Sequence, residues 1–317
     1  MSIDKNKHLD CVLKSHNIEN DEEHMKAYRA KRDQVREDLK AKYAEIIYRL
    51  IHSGSYKKRT AINIKFDMDL VIPFKKDSDT LKNLYNDLYD YFNVEYREID
   101  STLMNVKKQK VAIGLEFLVD GKVLDLDIVP GREINNYEED NDLNLFVNER
   151  MGLFGESTTL KTNIFKQISN IRDNSIAREC IKLIKIWKRR NNGAIKSFVI
   201  ELIIVKAMAV YEGDSDRWSK LKYVIEYIRD NIKTARLVDP GNSNNVVSDS
   251  LDDSQKDSIS ATMKWMLEDI EANDTAIERH FPKNPDHPCE IEEKRSIYIV
   301  NPERKPDKLN NDDFGRF

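Results

Sequence analysis

Apolar and polar residues change rhythm along this chain. From 21 to 52, "DEEHMKAYRAKRDQVREDLKAKYAEIIYRLIH" contains neither Gly nor Pro, and its apolar residues gather at Tyr43, Ile46, Ile47, Leu50 and Ile51. That pattern predicts one long helix, closed by Gly54 in the usual C-terminal role. Residues 61–74 alternate and predict a strand, with Phe66, Met68 and Leu70 facing the core. A helix is expected over 79–93, its apolar face made by Leu81, Leu84, Leu88 and Tyr91. Two further strands follow. In "VAIGLEFLV" the residues Val111, Ile113, Leu115, Phe117 and Val119 share a face, and in "VLDLDIVPG" Leu124, Leu126 and Ile128 do. Between them "DGK", 120–122, is a hairpin signal.

Beyond residue 150 the alternation fades, and helices are expected over about 157–170, 174–191, 196–212, 215–231 and 252–273. Strands mixed with helices, then helices alone, predict an α+β protein of two lobes. Residues 1–155 would form the sheet-bearing lobe, with the long helix spanning both lobes, and 156–281 the helical one. Residues 282–317, Pro-rich and polar, read as a tail with one short strand at 297–300.

Composition narrows this picture. A chain of 317 residues buries a sizeable core without staples. Charged residues make up 34%, yet the net charge is only −4, which argues against a general basic coat for long nucleic acid. Cys11, Cys180 and Cys289 are far apart and odd in number, so reduced structural thiols in a reducing compartment are expected. The opening "MSIDKNKHLD" has no apolar signal core, and the apolar run from Phe198 is too short for a bilayer and carries Glu201 and Lys206. A cytoplasmic protein, with no membrane association, is expected.

The chemistry centres on Asp67 and Asp69. Two residues apart in a strand, they project to one side. Burying an unpaired carboxylate is costly, and a shared divalent cation would offset that cost. Asp125 and Asp127 share a side of a later strand, so a third carboxylate joins if the two strands are neighbours; parity alone does not choose between them. Hard oxygen donors suit Mg²⁺, with Mn²⁺ as a substitute. Two such ions ~3.5–4 Å apart would activate a hydroxyl and stabilise a leaving oxygen. Upstream, Gly54 lets the backbone approach a phosphate, and the loop N–H groups with the Ser55 hydroxyl can hold triphosphate oxygens. Taken alone, Gly54 would be a helix cap and the aspartates solvated; their occurrence in one stretch favours a site.

These segments, "GSYKKRT", "DMDLVIPF" and "LDLDIVP", resemble the nucleotidyltransferase superfamily of DNA polymerase beta type. Within it they are most similar to the branch containing 2'-5'-oligoadenylate synthetase, cyclic GMP–AMP synthase and the bacterial CD-NTases. The run Asp127-Ile128-Val129-Pro130 matches that branch's Asp-aliphatic-aliphatic-Pro form and favours Asp127 as the third ligand. "CIKLIKIWKRRNN" and "IKSFVIELI" resemble the helix pair that closes over the donor nucleotide. The resemblance implies that Lys185 and Ser197 hold triphosphate and that Phe198 stacks on a base. Lys185 also lies in a basic stripe with Arg178, Lys182 and Arg189, Ser197 also suits a helix N-cap, and Phe198 also suits a core. "VDPGNSNNVV", 238–247, resembles a structural segment of the branch. Two departures stand out: Arg59 where Gly commonly precedes Thr, and Phe198 where Tyr is frequent. Lys57, Lys58 and Arg59, like Lys107, Lys108 and Lys110, otherwise read as solvated loop residues.

The resemblance covers about residues 45–250 in blocks. It implies a bilobal polymerase-beta-like fold with Asp67, Asp69 and Asp127 as catalytic, metal-binding residues and two Mg²⁺ as cofactors. It implies NTP substrates, ATP among them, and a cyclic di- or trinucleotide messenger of bacterial anti-phage signalling. A protein regulator or downstream effector is the implied partner, and long nucleic acid is not required. Rival readings are an RNA-end nucleotidyltransferase, a nucleotidylating toxin, and a nucleotide-binding sensor without turnover.

Overall fold

The strand that carries Asp69 lies beside the strand that carries Asp127, and the rest of the fold arranges itself around that pair. The computed structural model describes residues 3–64, 67–148 and 159–289. Helices α1 (Lys5–Ser15) and α2 (Glu22–Tyr43) come first. Strand β1 (Ile51–Ser53) runs into a one-turn helix, α3 (Gly54–Lys57), and β2 (Met68–Phe74) follows. Helix α4 (Leu81–Asp90) continues through a π turn, Tyr91–Glu95, into α5 (Tyr96–Ile99). Then come β3 (Leu103–Lys108), β4 (Ile113–Val119), β5 (Lys122–Glu133), the one-turn α6 (Tyr137–Asp140), β6 (Leu143–Phe146) and β7 (Thr159–Thr162). The helical part holds α7 (Ile164–Arg172), α8 (Ser175–Arg190), α9 (Ser197–Met208), α10 (Arg217–Asn231), α11 (Asp253–Ala272) and α12 (Ala276–His280). A small ribbon, β8 (Val238–Asp239) with β9 (Asn242–Val246), interrupts it.

The mixed sheet runs β1-β2-β5-β4-β3, with β6 and β7 added beyond β5. Strands β2 and β5 are parallel and pair Met68 with Leu126, Asp69 with Asp127 and Leu70 with Ile128. The even-numbered residues of both strands, Met68, Leu70, Ile72, Leu126 and Ile128, are buried against α2 and α4 residues such as Val35, Leu39 and Leu84. Each such side chain contributes about 1.5–3 kcal/mol on burial. That packing fixes which face the odd-numbered aspartates occupy. A second apolar cluster joins α8, α9, α10 and α11. The hairpin between β4 and β5 forms at "DGK" as expected, with Asp120 at φ 51° and Gly121 at φ 75°, the left-handed pair such a turn needs.

Several elements differ from expectation. The helix expected to 52 ends at Tyr43. Ile47 bridges to Phe74, and Ile51–Ser53 becomes an edge strand of the sheet; β-branched Ile46, Ile47 and Ile51 suit extended backbone once partners are available. Gly54 is therefore no helix C-cap. The buried residues of α2 all join the sheet core. Strand β3 escaped the pattern because a bulge between Leu103 and Asn105 breaks its alternation. The helix expected from 157 starts at Ile164, after β7, where Asn163 caps it by accepting from the Lys166 N–H at 3.1 Å.

Helix α1, unanticipated, sends Leu9 and Val12 into the helical cluster, so its packing crosses the boundary expected at 155. The cysteine expectation is corrected too. Cys11 and Cys289 form a disulfide with Cα atoms 5.3 Å apart, leaving Cys180 as a buried thiol. The chain after α12 folds back along α1 to allow this: the Asn284 N–H donates to Ser15 Oγ at 3.0 Å, and Asn284 Nδ2 to Asn63 Oδ1 at 3.0 Å. Phe66 and the expected strand at 297–300 lie outside the described residues. Among the described residues no helix is long and apolar enough to cross a membrane.

Candidate active-site cleft

The parallel register sets Asp69 and Asp127 side by side on one face of the sheet, and Asp67 stands just ahead of β2. Asp125 instead opposes Glu116 on β4, and its N–H donates to the Tyr28 hydroxyl at 2.6 Å. Register thus supplies what parity left open: Asp127 is the cross-strand neighbour of Asp69. Gln109 Nε2 donates to Asp127 Oδ1 at 2.8 Å. Opposite Asp127 is Gly114, where a Cβ would come within 2.5 Å of that amide.

Gly54 is required twice over. Its φ of +66° is left-handed, and a Cβ there would overlap the Asp69 carboxylate. The pairing of Ser53 with Asp69 brings this close approach about, because the chain turns into α3 directly over the aspartate. First-turn N–H groups have no partner four residues back, and Gly54 and Ser55 border the cleft.

Burial, followed by the neighbouring Asp67 and Asp127 carboxylates, pushes the Asp69 carboxyl up to about 8. Like charges crowded at one spot favour a divalent cation, and the donors are the hard oxygens Mg²⁺ prefers. Among the described residues no three His, Cys, Asp or Glu side chains stand close enough together to hold a metal ion as they are placed. A metal site would rest on the chemistry of the donors alone, the carboxylate oxygens of Asp67, Asp69 and Asp127 being of the hard kind that Mg²⁺ takes.

A cleft of about 500 Å³ lies between this sheet face and the helices. Its lining includes Ser55, Asp67, Asp69, Lys185, Ser197 and Phe198. Asp127 borders an adjoining hollow of about 250 Å³, and Asp67 lines both spaces. Lys107, expected in a solvated loop, belongs to β3 and faces that hollow, while Lys108 donates to Asn86 Oδ1 at 2.7 Å.

The helical wall departs most from the sequence. Lys185 is buried and donates to Glu201 Oε1 at 2.7 Å and Thr60 Oγ1 at 3.0 Å. Lys58, expected to be solvated, is also buried; it donates to Glu201 Oε2 at 2.8 Å and lies 5.1 Å from the centre of the Phe198 ring. Burial alone would push the Glu201 carboxyl up, but Lys185 and Lys58 bring it below its ordinary range. Ser197 does not cap α9, whose N-cap is Lys196; its hydroxyl accepts from Lys188 Nζ at 3.2 Å. Phe198 packs on the helical core and also lines the cleft.

Glu201 and Lys58 were not singled out from sequence. The available signal was a lone acid in "FVIELII": an apolar helix tolerates a buried carboxylate only with a partner. Arg59 sits at φ 60°, which explains why glycine suits that place in the motif. In the ribbon Asp239 accepts from Gln167 Nε2 at 2.9 Å and from the Gly241 N–H at 2.8 Å, a structural role, and it also borders the cleft.

No family model matches the chain, and no curated protein sequence matches it. Solved structures do. Escherichia coli MS115-1 CdnC with ATP is similar at a TM-score of 0.69 and 20% identity, over 88% of this chain and 96% of that one. CdnC in complex with HORMA-deltaN gives 0.66 and 20%, with the same coverage. Elizabethkingia meningoseptica CdnE cyclic dinucleotide synthase, with GTP and Apcpp, gives 0.61 and 13%, over 83% and 98%. The chain thus has the α+β fold of the bacterial CD-NTases.

Proposed function

We propose that this chain is a nucleotidyltransferase that joins nucleoside triphosphates into a cyclic di- or trinucleotide. One observation carries the proposal: Asp69, directly beneath the Gly54 turn in a cleft whose far wall carries Lys58, Lys185, Lys188 and Arg189, is the register partner of Asp127, which borders the adjoining hollow. The CD-NTase fold, and neighbours solved with ATP or with GTP and Apcpp, support it.

Asp67, Asp69 and Asp127 would hold two Mg²⁺ ions, which supply Lewis-acid stabilisation of charge on the reacting phosphate. The Gly54–Ser55 turn, Lys185 and Ser197 bind the triphosphate, with Lys58 and Lys188 adding charge beside them. Phe198 offers its ring to a base. In the reaction an acceptor ribose hydroxyl forms the new ester bond at the α-phosphate while the bond to pyrophosphate breaks. Asp127, whose Oδ1 accepts from Gln109 Nε2, would take the hydroxyl proton. The product would serve as a second messenger in anti-phage signalling. A protein regulator belongs to the proposal, supported by the CdnC–HORMA complex.

Incubating the full chain with labelled NTPs and Mg²⁺ tests this. A phosphatase-resistant oligonucleotide is expected, and none from the Asp67→Ala, Asp69→Ala double variant. Equal behaviour of the two proteins, or extension of added RNA in place of a cyclic product, would overturn it. Mass spectrometry with each NTP omitted in turn identifies the bases.

A further inference from the structure

Two cations meet at one buried carboxylate. Glu201 is 4% exposed, and its neighbours along α9, Val199, Ile200, Leu202 and Ile203, are all apolar and buried. An acid here serves no packing need. Its two oxygens instead accept from lysines of different parts of the molecule, Lys58 just after α3 and Lys185 in the middle of α8. All three residues line the cleft with Ser55 and Asp69.

We propose that Glu201 is a positioning residue that acts as a built-in competitor for polyphosphate. It aims Lys58 and Lys185 into the cleft while drawing off part of their charge, so that the donor's triphosphate is held and the pyrophosphate product is let go. The inference rests on the assignment of an NTP to this cleft.

The charge balance supports it. On the helical side of the cleft Lys58, Lys185, Lys188 and Arg189 stand against the carboxylates of Glu201 and Asp239, which leaves net positive charge there for an anion. An ammonium has three donors. Lys185 spends two, on Glu201 and Thr60, and Lys58 spends one, on Glu201. Each retains a donor for phosphate oxygens without breaking the ion pair. Without the carboxylate the same lysines would grip any polyanion harder, and a tightly held product slows turnover. A purely structural rivet between Lys58 and Lys185 makes the opposite prediction, because removing it would loosen both lysines.

The test is Glu201→Gln in the full chain, titrated calorimetrically with inorganic tripolyphosphate and pyrophosphate, with adenosine as the uncharged control. Tripolyphosphate and pyrophosphate should bind roughly tenfold tighter than to wild type, the scale of one nearby charge at a partly screened site. Adenosine affinity should not change, and kcat and KM for NTP should fall together. Unchanged or weaker tripolyphosphate binding by the variant would overturn the proposal. Should the Gln variant fail to fold, Glu201→Asp decides on the same criterion, because it withdraws the carboxylate by one methylene and should give a smaller tightening. Failure of wild type to bind tripolyphosphate would overturn the NTP assignment itself, whereas binding without tightening overturns only the role of Glu201.

Discussion

The two walls of the cleft treat charge in opposite ways. On the sheet wall Asp67, Asp69 and Asp127 are like charges, and their crowding, added to burial, raises Asp69 to about 8. On the helical wall the buried carboxylate of Glu201 is matched by Lys58 and Lys185. On the proposed reading a cation from outside the chain would offset the first wall, whereas the buried acid of the second is offset by lysines of the chain itself. Like charges are thus crowded where a bound cation would offset them, and the one buried acid of the opposite wall is offset from within the chain, leaving cationic groups over for an anion.

The comparison can be broken by the same operation performed on each wall. The largest effect is expected at the joint between the turn and the sheet. Gly54→Ala forces a Cβ into the Asp69 carboxylate and a strained φ, and oligonucleotide synthesis should fall by roughly 10²-fold or more. Next, Glu201→Ala leaves two buried ammonium groups without a counter-charge and should cost about 3–5 kcal/mol in denaturant unfolding. Asp69→Asn should do the reverse in the absence of divalent ions and stabilise by about 1–3 kcal/mol at pH 8. The sign follows from linkage. With a native pKa of about 8 against about 4 unfolded, the folded state keeps a proton that the unfolded state has released, so wild-type stability falls as pH rises from about 4 to 8. The advantage of the Asn variant should grow across that window and vanish below it, and Mg²⁺ should remove it by displacing the proton. An Asn variant that is less stable at pH 8 would show that Asp69 is not strained. Smallest of all, Arg59→Gly should stabilise by about 1 kcal/mol by relieving a left-handed arginine.

Different parts of this site became legible at different levels. Asp67, Asp69 and the Gly54–Ser55 turn are visible in sequence because strand parity and a glycine ahead of a strand are local features. Choosing Asp127 over Asp125 from geometry needed the pairing of β2 with β5, a contact across 58 positions of chain (69 to 127). Lys58 looked like a loop lysine and Glu201 like a stray charge in an apolar run because burial is a tertiary property; only their meeting at 2.8 Å gives either a role. Fold elements divide likewise. Helices α8, α9, α10 and α11 follow strong apolar periodicity and fall close to where they are expected. Strand β1 read as helix because a sheet edge, not local propensity, decides its conformation. The Cys11–Cys289 bond, 278 residues apart in sequence, has no local signal at all.

The most direct test of the central claim compares Asp127→Asn with Asp125→Asn, using labelled NTPs and Mg²⁺ and measuring conversion to phosphatase-resistant product. If Asp69 and Asp127 form the reacting pair, the Asp127 variant should lose at least roughly 10³-fold in rate, and the Asp125 variant should stay within about tenfold of wild type. Wild-type turnover by Asp127→Asn would contradict the account.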